Sequence, residues 1–545
     1  MICCAYYPSW VCRFLHSTTF QGAIDPKNAA IVNRCTQMGA VAAGHSTTAE
    51  AARLILQEGG NAFDAAISAM LTACVAEPIL ASLGGGGFLT AHPVGADPLV
   101  YDFFVQTPHR KRDASEIDLY PIVADFGDAN QSFHIGMGSI ATPGFVGGVF
   151  AIHRELASLP LQRLFEPAIE LARSGVPLNP FQHLIAQIVA PILRSTDTAS
   201  RLWHASEEAG ALPEVGALHH NPQLADLLEA LQREGEALFY RGEPAQLLVR
   251  ACRESGGHLL AEDLEQFEVI RRSPLRCHYQ GAQILTNPLP SLGGSLIHFT
   301  LQLLEPCTLG RFPAASAEPL RFLARSMRQT QLMRQHPEAG NDLSHAASLL
   351  QAFQNRVAEG GISSRGTTQI SIADRDGNLA SLTLSNGEGS GYIIPNTGVM
   401  LNNMLGEEDL NPLGFNQWPE NQRIASMMAP TLLMLADGRR IVTGSGGSNR
   451  IRSAILQVIS NLIDFEMPLA EAVAAPRVHL EGGLLSIEPG LPAETISALE
   501  EEFPQQELWK QKSLFFGGTH SVALSSSGEV SGAGDERRGG VWLSA

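Results

Sequence analysis

No long basic run occurs in this chain, and acidic residues outnumber basic ones by 55 to 37, for a formal net charge of −18. Electrostatic capture of a polyanion needs a basic patch, so nucleic-acid binding is not expected. The densest basic cluster, His109-Arg110-Lys111-Arg112, has the length of an ordinary solvated loop. The uncharged run from Pro78 to Ala96 holds a glycine quartet and Pro93, which makes it a poor lipid-facing helix, and no membrane span is expected. It reads instead as a buried turn. Gly84 to Gly87 lack the Lys-Ser/Thr pair that a phosphate-binding loop requires, so close backbone packing is the reading there.

Cysteine is sparse and unpatterned. Cys3, Cys4, Cys12 and Cys35 crowd the start, while Cys74, Cys252, Cys277 and Cys307 are scattered without paired metal-ligand spacing. Free thiols, no structural metal and no cofactor are expected, with Cys74 packed inside the apolar stretch Ala65 to Ala76. Residues 1 to 20 have neither a basic n-region nor an uninterrupted apolar core, so they do not read as a secretory leader. Residues 1–37 are expected to form a poorly ordered or non-native N-terminal extension, and the protein to be cytoplasmic, or periplasmic if the true N-terminus differs.

What the chain does have is length and apolar content. Its 545 residues, 44% hydrophobic and 17% charged, can bury a substantial core. Thr47 or Thr48 is a plausible N-cap for a helix to about Gln57, closed by Gly59-Gly60, and Phe63 to Ala76 reads as the next, apolar helix. Residues 151–270 read as largely helical, Gln283 to Thr286 as a short strand, and 317–359 as polar helix ending at Gly360-Gly361. Beyond that point the pattern changes to hairpins. Thr431 to Ala436 and Arg439 to Gly444 flank an Asp437-Gly438 turn, His520 to Leu524 and Glu529 to Ala533 form another pair, and Arg450 to Asp464 reads as a covering helix. Pairing Ala436 with Arg439 and continuing that ladder brings Ser426 beside the turn Ser445 to Asn449.

The most telling hairpin opens at Gly366-Thr367-Thr368. Ile370 and Ile372 alternate with polar residues, Asp376-Gly377 supplies a turn, and Leu382 and Leu384 continue the alternation to Ser385-Asn386. A two-residue turn places Thr367 opposite Asn386 and Thr368 opposite Ser385; a three-residue loop shifts the pairing by one. A threonine so placed can become a new N-terminus. Its hydroxyl is a weak nucleophile that needs an adjacent base, and the α-amine freed by cleavage of the preceding bond is one, titrating at about 7.7–8.0 in model peptides. Glycine before it permits backbone conformations that help expose the scissile carbonyl.

Residues Thr367 to Asn403 resemble the start of the small subunit of the γ-glutamyltranspeptidases, or glutathione hydrolases. Further matching segments follow in the same order: Gly44 to Ala65, Leu83 to Phe88, Ala141 to Gly148, Pro167 to Gly175, Phe239 to Glu243, Gly256 to Phe267, Pro288 to Gly294, Thr443 to Ile451 and Ala475 to His479. Only residues 1–37 and much of 305–365 lack a match. The resemblance implies an α+β fold, the four-layer αββα sandwich of the N-terminal-nucleophile hydrolases. It also implies one precursor cut between Gly366 and Thr367 into a heavy portion, 38–366, and a light portion, 367–545, that pair as a heterodimer within a single domain.

Carried over by position, the resemblance makes Thr367 nucleophile and autocleavage site, with its own amine as base. Ser385 holds that amine, Asn386 contacts substrate, and Glu407 binds the substrate α-ammonium, a sensible charge pairing. Gly446 and Gly447 supply an oxyanion site, although an ungapped match shifts this pair to Gly447 and Ser448. Two departures stand out. Where the family carries Asp-Phe-Arg-Glu, whose arginine grips the substrate α-carboxylate, this chain reads Asp102-Phe103-Phe104-Val105, and a paired-serine segment reads Ala425-Ser426. A buried carboxylate without a partner is costly, so either Arg110 or Arg112 substitutes or the acyl group differs. The expected activity is transfer or hydrolysis of the γ-glutamyl group of glutathione or a related amide. The alternatives are an acylase of the same fold, and an uncleaved, non-catalytic homologue.

Overall fold

The computed structural model describes residues 37–125, 130–203, 212–335, 366–411 and 414–545. The extension expected over residues 1–37, apart from its last residue, and the helical tail expected beyond Gln335 lie outside the described residues. The principal strands are β1 (Gly39–Ala43), β2 (Gly86–His92), β3 (Leu99–Asp102), β4 (Ile270–Arg272), β5 (Leu275–Tyr279), β6 (Ala282–Thr286), β7 (Thr367–Asp374), β8 (Leu379–Ser385), β9 (Thr431–Met434), β10 (Arg440–Thr443), β11 (Ser521–Leu524), β12 (Val530–Ala533) and β13 (Val541–Ser544). They form a seven-stranded sheet ordered β13-β1-β7-β8-β2-β3-β4 and a six-stranded sheet ordered β12-β11-β10-β9-β6-β5. Both sheets mix strands from either side of residue 366.

Alternation along the strands builds the layers. Val41, Ala43, Ile370, Ile372, Leu382 and Leu384 pack against helices α1 (Ser46–Gln57), α2 (Ala62–Ala76), α3 (Phe145–Leu156) and α4 (Leu161–Ser174). Their strand neighbours Ala40, Ala42, Ala373 and Leu379 point the other way and meet Leu285, Leu432, Val442 and Val522 of the second sheet. On that sheet's outer face, Tyr279, Ile284, Leu433 and Ile441 join residues of α5 (Leu292–Leu304), α6 (Ala317–Gln335) and α7 (Arg450–Ile463). Helix, sheet, sheet, helix is the expected αββα sandwich.

Several local expectations need correction. The cap of α1 is His45, whose Nδ1 accepts from the Thr47 N–H at 3.1 Å, while the Thr48 hydroxyl is drawn to Glu77. Gly86 and Gly87 begin β2 rather than lying in a turn, with Gly86 opposite Ser385. The β7–β8 register is one residue from the two-residue-turn reading: Thr367 faces Ser385, not Asn386. Three residues, Arg375-Asp376-Gly377, form the loop, with Gly377 at φ +100° and the Asp374 N–H donating to the Asn378 carbonyl at 3.1 Å. Only this register sets Ile370 beside Leu382 and Ile372 beside Ala380, so the buried face decides it. The Asp437-Gly438 hairpin shifts likewise, with Thr431 opposite Thr443. Ser426 therefore bridges to Ser291 instead of extending the β9–β10 ladder.

Candidate active site

Thr367 heads β7 in the middle of the first sheet and is 4% exposed. It shares the pleat face of Gln369, Ser371 and Ala373, which looks toward the second sheet. This face is apolar at its far end and polar near Thr367. There Gln369 Nε2 donates to Ser371 Oγ at 3.1 Å and Ser381 Oγ at 3.0 Å, Thr383 donates to Gln369 Oε1 at 2.6 Å, and Ser381 donates to the Thr443 carbonyl at 2.7 Å. A satisfied polar network of this kind rigidifies the layer beneath Thr367.

Ser385 stands directly across the ladder from Thr367. Its Oγ lies 3.4 Å from Thr367 Oγ1, a long contact, and donates to the Gly366 carbonyl at 2.7 Å. Threonine and serine hydroxyls and the bond preceding Thr367 are thus gathered at one point. Gly366 is packed tightly: a Cβ there would lie 2.1 Å from the Gly387 carbonyl oxygen. Its N–H reaches Glu388 Oε1 at 3.3 Å.

A cavity opens beside this pair. Thr367, Ser385, Glu407, Asp409, Ser426 and Ser448 supply its polar lining, and Phe104, Leu292, Met404, Met427, Met428 and Ile451 are among its apolar walls. Of the residues singled out in the sequence, Thr367, Ser385, Glu407 and Ser426 therefore converge. Asn386 is wholly buried next to Ser385, and neither polar atom of its amide has a hydrogen-bond partner among the described residues. The Glu407 carboxylate comes so near Gly387 that a Cβ on that glycine would be 2.3 Å from Oε1. Ser426 Oγ accepts from the Met428 N–H at 3.1 Å, and the Ser426 carbonyl accepts from Leu292 N–H at 2.7 Å.

The glycine turn sits where the two sheets meet. Ser445–Gly446 is a two-residue strand paired with Gly518–Thr519, and a Cβ on Gly446 would fall 2.3 Å from the Thr367 carbonyl oxygen. Ser448, at φ +54°, reaches the cavity itself. Arg538, buried beside Thr367, donates to the Thr367 carbonyl at 3.4 Å and to the Leu514 carbonyl at 3.3 Å. Burial lowers its pKa to about 10.

Phe104 lines the cavity and stacks on Phe88 with ring centroids 5.5 Å apart. Neither suggested substitute arginine reaches it. Arg112 donates to the Cys252 carbonyl at 2.8 Å and the Gly257 carbonyl at 3.2 Å, and Arg110 is exposed beside Glu262. Asp102 is held by Arg272 at 2.8 Å and Arg423 at 3.3 Å, so this acid is committed to the frame. Among the described residues lining the cavity, none is Arg or Lys.

Sequence reasoning missed Glu77 and Arg538, and met Asp409 only as part of an acidic string. Glu77 ends a 15-residue helix whose sole other charge is Asp64. An isolated acid at that place was the available signal. Burial raises its pKa to about 7 against the opposing hydrogen bonds from Thr368 and Thr48. Among the described residues no cluster of His, Cys, Asp and Glu could hold a metal ion, no helix is long and apolar enough to cross a membrane, and the four cysteines are unpaired.

An αββα sandwich with a threonine at the head of a central strand, and a hydroxyl and the preceding carbonyl beside it, defines an N-terminal-nucleophile hydrolase. The gamma-glutamyltranspeptidase family model matches residues 48–545, and the chain belongs to that family of enzymes. It is 27% identical over 545 residues to the glutathione hydrolase proenzyme of Escherichia coli (strain K12), covering 92% of this chain and 90% of that one. It is also 27% identical over 528 residues to the acylase ACY 1 proenzyme of Pseudomonas sp. (strain V22), covering 92% and 93%. Cephalosporin acylase from Bacillus halodurans superposes with a TM-score of 0.77 at 22% identity, over 93% of this chain and 96% of that one, a likeness of fold.

Proposed function

We propose that the chain cuts itself before Thr367 and then uses Thr367 to carry an acyl group from an amide to water or to an amine. The observation that carries this reading is the meeting of Thr367, Ser385 and the Gly366 carbonyl at the head of β7. In self-cleavage Thr367 Oγ1 bonds to the Gly366 carbonyl carbon, the carbon–nitrogen bond breaks, the hydroxyl proton passes to the departing nitrogen, and water hydrolyses the resulting ester. The freed α-amine then serves as base for the same hydroxyl. Ser385 orients that amine. Gly446 and Gly447, or Gly447 and Ser448 in the shifted match, present backbone N–H groups to the oxyanion; losing one such donor costs about 3 kcal/mol in the transition state. Relatives named as proenzymes support this order of events.

For the acyl group, the walls favour a chain without an α-carboxylate over γ-glutamyl. A γ-glutamyl group would set its carboxylate in a cavity with Phe104 where a guanidinium is needed, a penalty of several kcal/mol by the roughly 2–7 kcal/mol scale for unpaired polar burial. Glu407 and Asp409 line the cavity and suit an acyl group bearing a cation or N–H donors. Asn386 and Ser426 add hydrogen-bonding capacity. The site belongs to a small-molecule amide, and a cytoplasmic location remains part of this proposal.

The test begins with the protein's mass under denaturing conditions. Cleavage gives fragments of 366 and 545 − 366 = 179 residues, the smaller beginning Thr-Thr-Gln-Ile, and Thr367→Ala leaves one full-length band. A Thr367→Ala chain that still splits there overturns the nucleophile. Release of p-nitroaniline from γ-glutamyl and 4-aminobutanoyl p-nitroanilides, two acyl groups differing by one carboxylate, then decides the substrate. Faster turnover of the γ-glutamyl compound overturns the acyl preference while leaving the nucleophile standing.

A further inference from the structure

Among the described residues the head of β7 is strand-paired on one side only. Pairing with β1 ends where Ala43 meets Ile370, so among the described residues Thr367, Thr368 and Gln369 have β8 as their one ladder partner. Once the bond before Thr367 is cut, these residues become a chain terminus, where fraying is the default. Yet a nucleophile displaced by about 1 Å loses on the order of a hundredfold in rate. Something other than strand pairing has to hold the terminus.

The pleat turns Thr368 away from the cleft, toward the helix layer, as it turns Thr367 into it. There the Thr368 hydroxyl donates to Glu77 Oε2 at 2.7 Å, and Thr48 of α1 donates to Glu77 Oε1 at 2.8 Å. Glu77 is fully buried and closes α2, so one carboxyl ties two heavy-portion helices to the residue after the nucleophile. Room for it comes from Gly44, where a Cβ would stand 2.7 Å from Glu77 Oε2 and 2.8 Å from Thr368 Oγ1. The turn after α2 is fixed by Leu80 and Ala81 N–H groups donating to the Glu77 carbonyl at 2.8 and 3.0 Å. That turn sets the Ile79 carbonyl oxygen 3.2 Å from where a Gly366 Cβ would lie, against the other side of the scissile bond.

We propose that Glu77 is a positioning residue that, through Thr368, holds the head of β7 so that Thr367 keeps its place against Ser385 before and after the chain is cut. The proposal rests on the reading that Thr367 becomes an N-terminus. It makes the Glu77–Thr368 bond a link between the two fragments at the point where one of them has its loose end.

The experiment uses Thr368→Val, which keeps shape and β-branching but loses the hydroxyl, with Thr368→Ser as the rescue. Precursor from timed cell-free synthesis is followed on denaturing gels, and mature protein is assayed with whichever of the two p-nitroanilides the wild type turns over faster. Expected for Thr368→Val are slower self-cleavage and a kcat reduced roughly tenfold or more, with KM changed less than about twofold. Thr368→Ser restores both rates. Glu77→Gln combined with Thr368→Val is no worse than the worse single variant. A wild type that stays whole overturns the function reading and this proposal with it. A wild type that is cut, while Thr368→Val matches it in both rates or Thr368→Ser falls as far as Val, overturns the anchor alone.

Discussion

Thr367 and Ser385 face each other across the β7–β8 ladder, and Ser385 Oγ, 3.4 Å from the threonine hydroxyl, donates to the carbonyl of the Gly366–Thr367 bond at 2.7 Å. One serine thereby touches both partners of the proposed cleavage. Ser385→Ala is expected to slow self-cleavage by about 10²-fold, the scale for loss of one donor aimed at a developing oxyanion. Timed gels of fresh precursor measure it. An unchanged rate removes Ser385 from the reaction.

The proposed acyl preference rests on Phe104, which lines the cavity. Phe104→Arg places a guanidinium in the cavity and is expected to lower KM for γ-glutamyl p-nitroanilide by roughly tenfold, as a paired carboxylate replaces an unpaired one. The 4-aminobutanoyl compound, lacking the carboxylate, should gain nothing. Equal gains for both substrates would show that shape, not charge, was altered.

Gly85 tests the packing under Ser385. A Cβ there would lie 2.4 Å from the Ser385 carbonyl oxygen, a backbone atom with nowhere to retreat. Gly85→Ala is expected to cost about 1–3 kcal/mol in urea unfolding, the range for overpacking, and to slow self-cleavage by moving β8. Unaltered stability and rate would mean that the β2–β8 contact is loose.

Buried histidines set the acid limb of stability. Burial lowers His45, His219, His258, His479 and His520 to about 4. Between about 4 and 6.5 the unfolded chain binds protons that the folded one refuses, so stability is fully present above 6.5 and is lost as pH falls toward 4. Each group held neutral contributes on the order of 3 kcal/mol over that window. Glu77, raised to about 7, has the opposite sign: its contribution is present below about 4.5 and lost as pH rises through 7. Urea midpoints should therefore fall from pH 6.5 to pH 4.5, and Glu77→Gln should gain on the wild type between pH 5 and pH 8. A flat acid limb would contradict the histidine burial.

Much of this was legible before any coordinates. The alternation Ile370, Ile372, Leu382, Leu384 announced a buried hairpin, and Gly366-Thr367 marked its opening as chemical. The register was not legible from the turn dipeptide, because Asp-Gly serves both two- and three-residue loops. It was contained in the apolar pattern, which pairs Ile370 with Leu382 only in the register observed. Ser426 does share the cavity with Ser448 of the glycine turn, but not by extending the β9–β10 ladder; it bridges to Ser291, on a segment 135 residues away in sequence. Glu77 escaped notice because its partners, Thr48 and Thr368, lie 29 and 291 positions away.

The amino-acid order alone carried the buried hairpin that opens at Thr367 and, by its family resemblance, the four layers, the candidate nucleophile and the phenylalanine at 104 where the family has arginine, because periodicity and motifs are short-range properties of the chain. Which hydroxyl meets Thr367, which residues wall the cavity beside it and what packs against the head of β7 were decided only when strands from both sides of residue 366 closed into shared sheets. Contacts between groups hundreds of residues apart are set by the packing of whole layers, and no window along the sequence contains both partners.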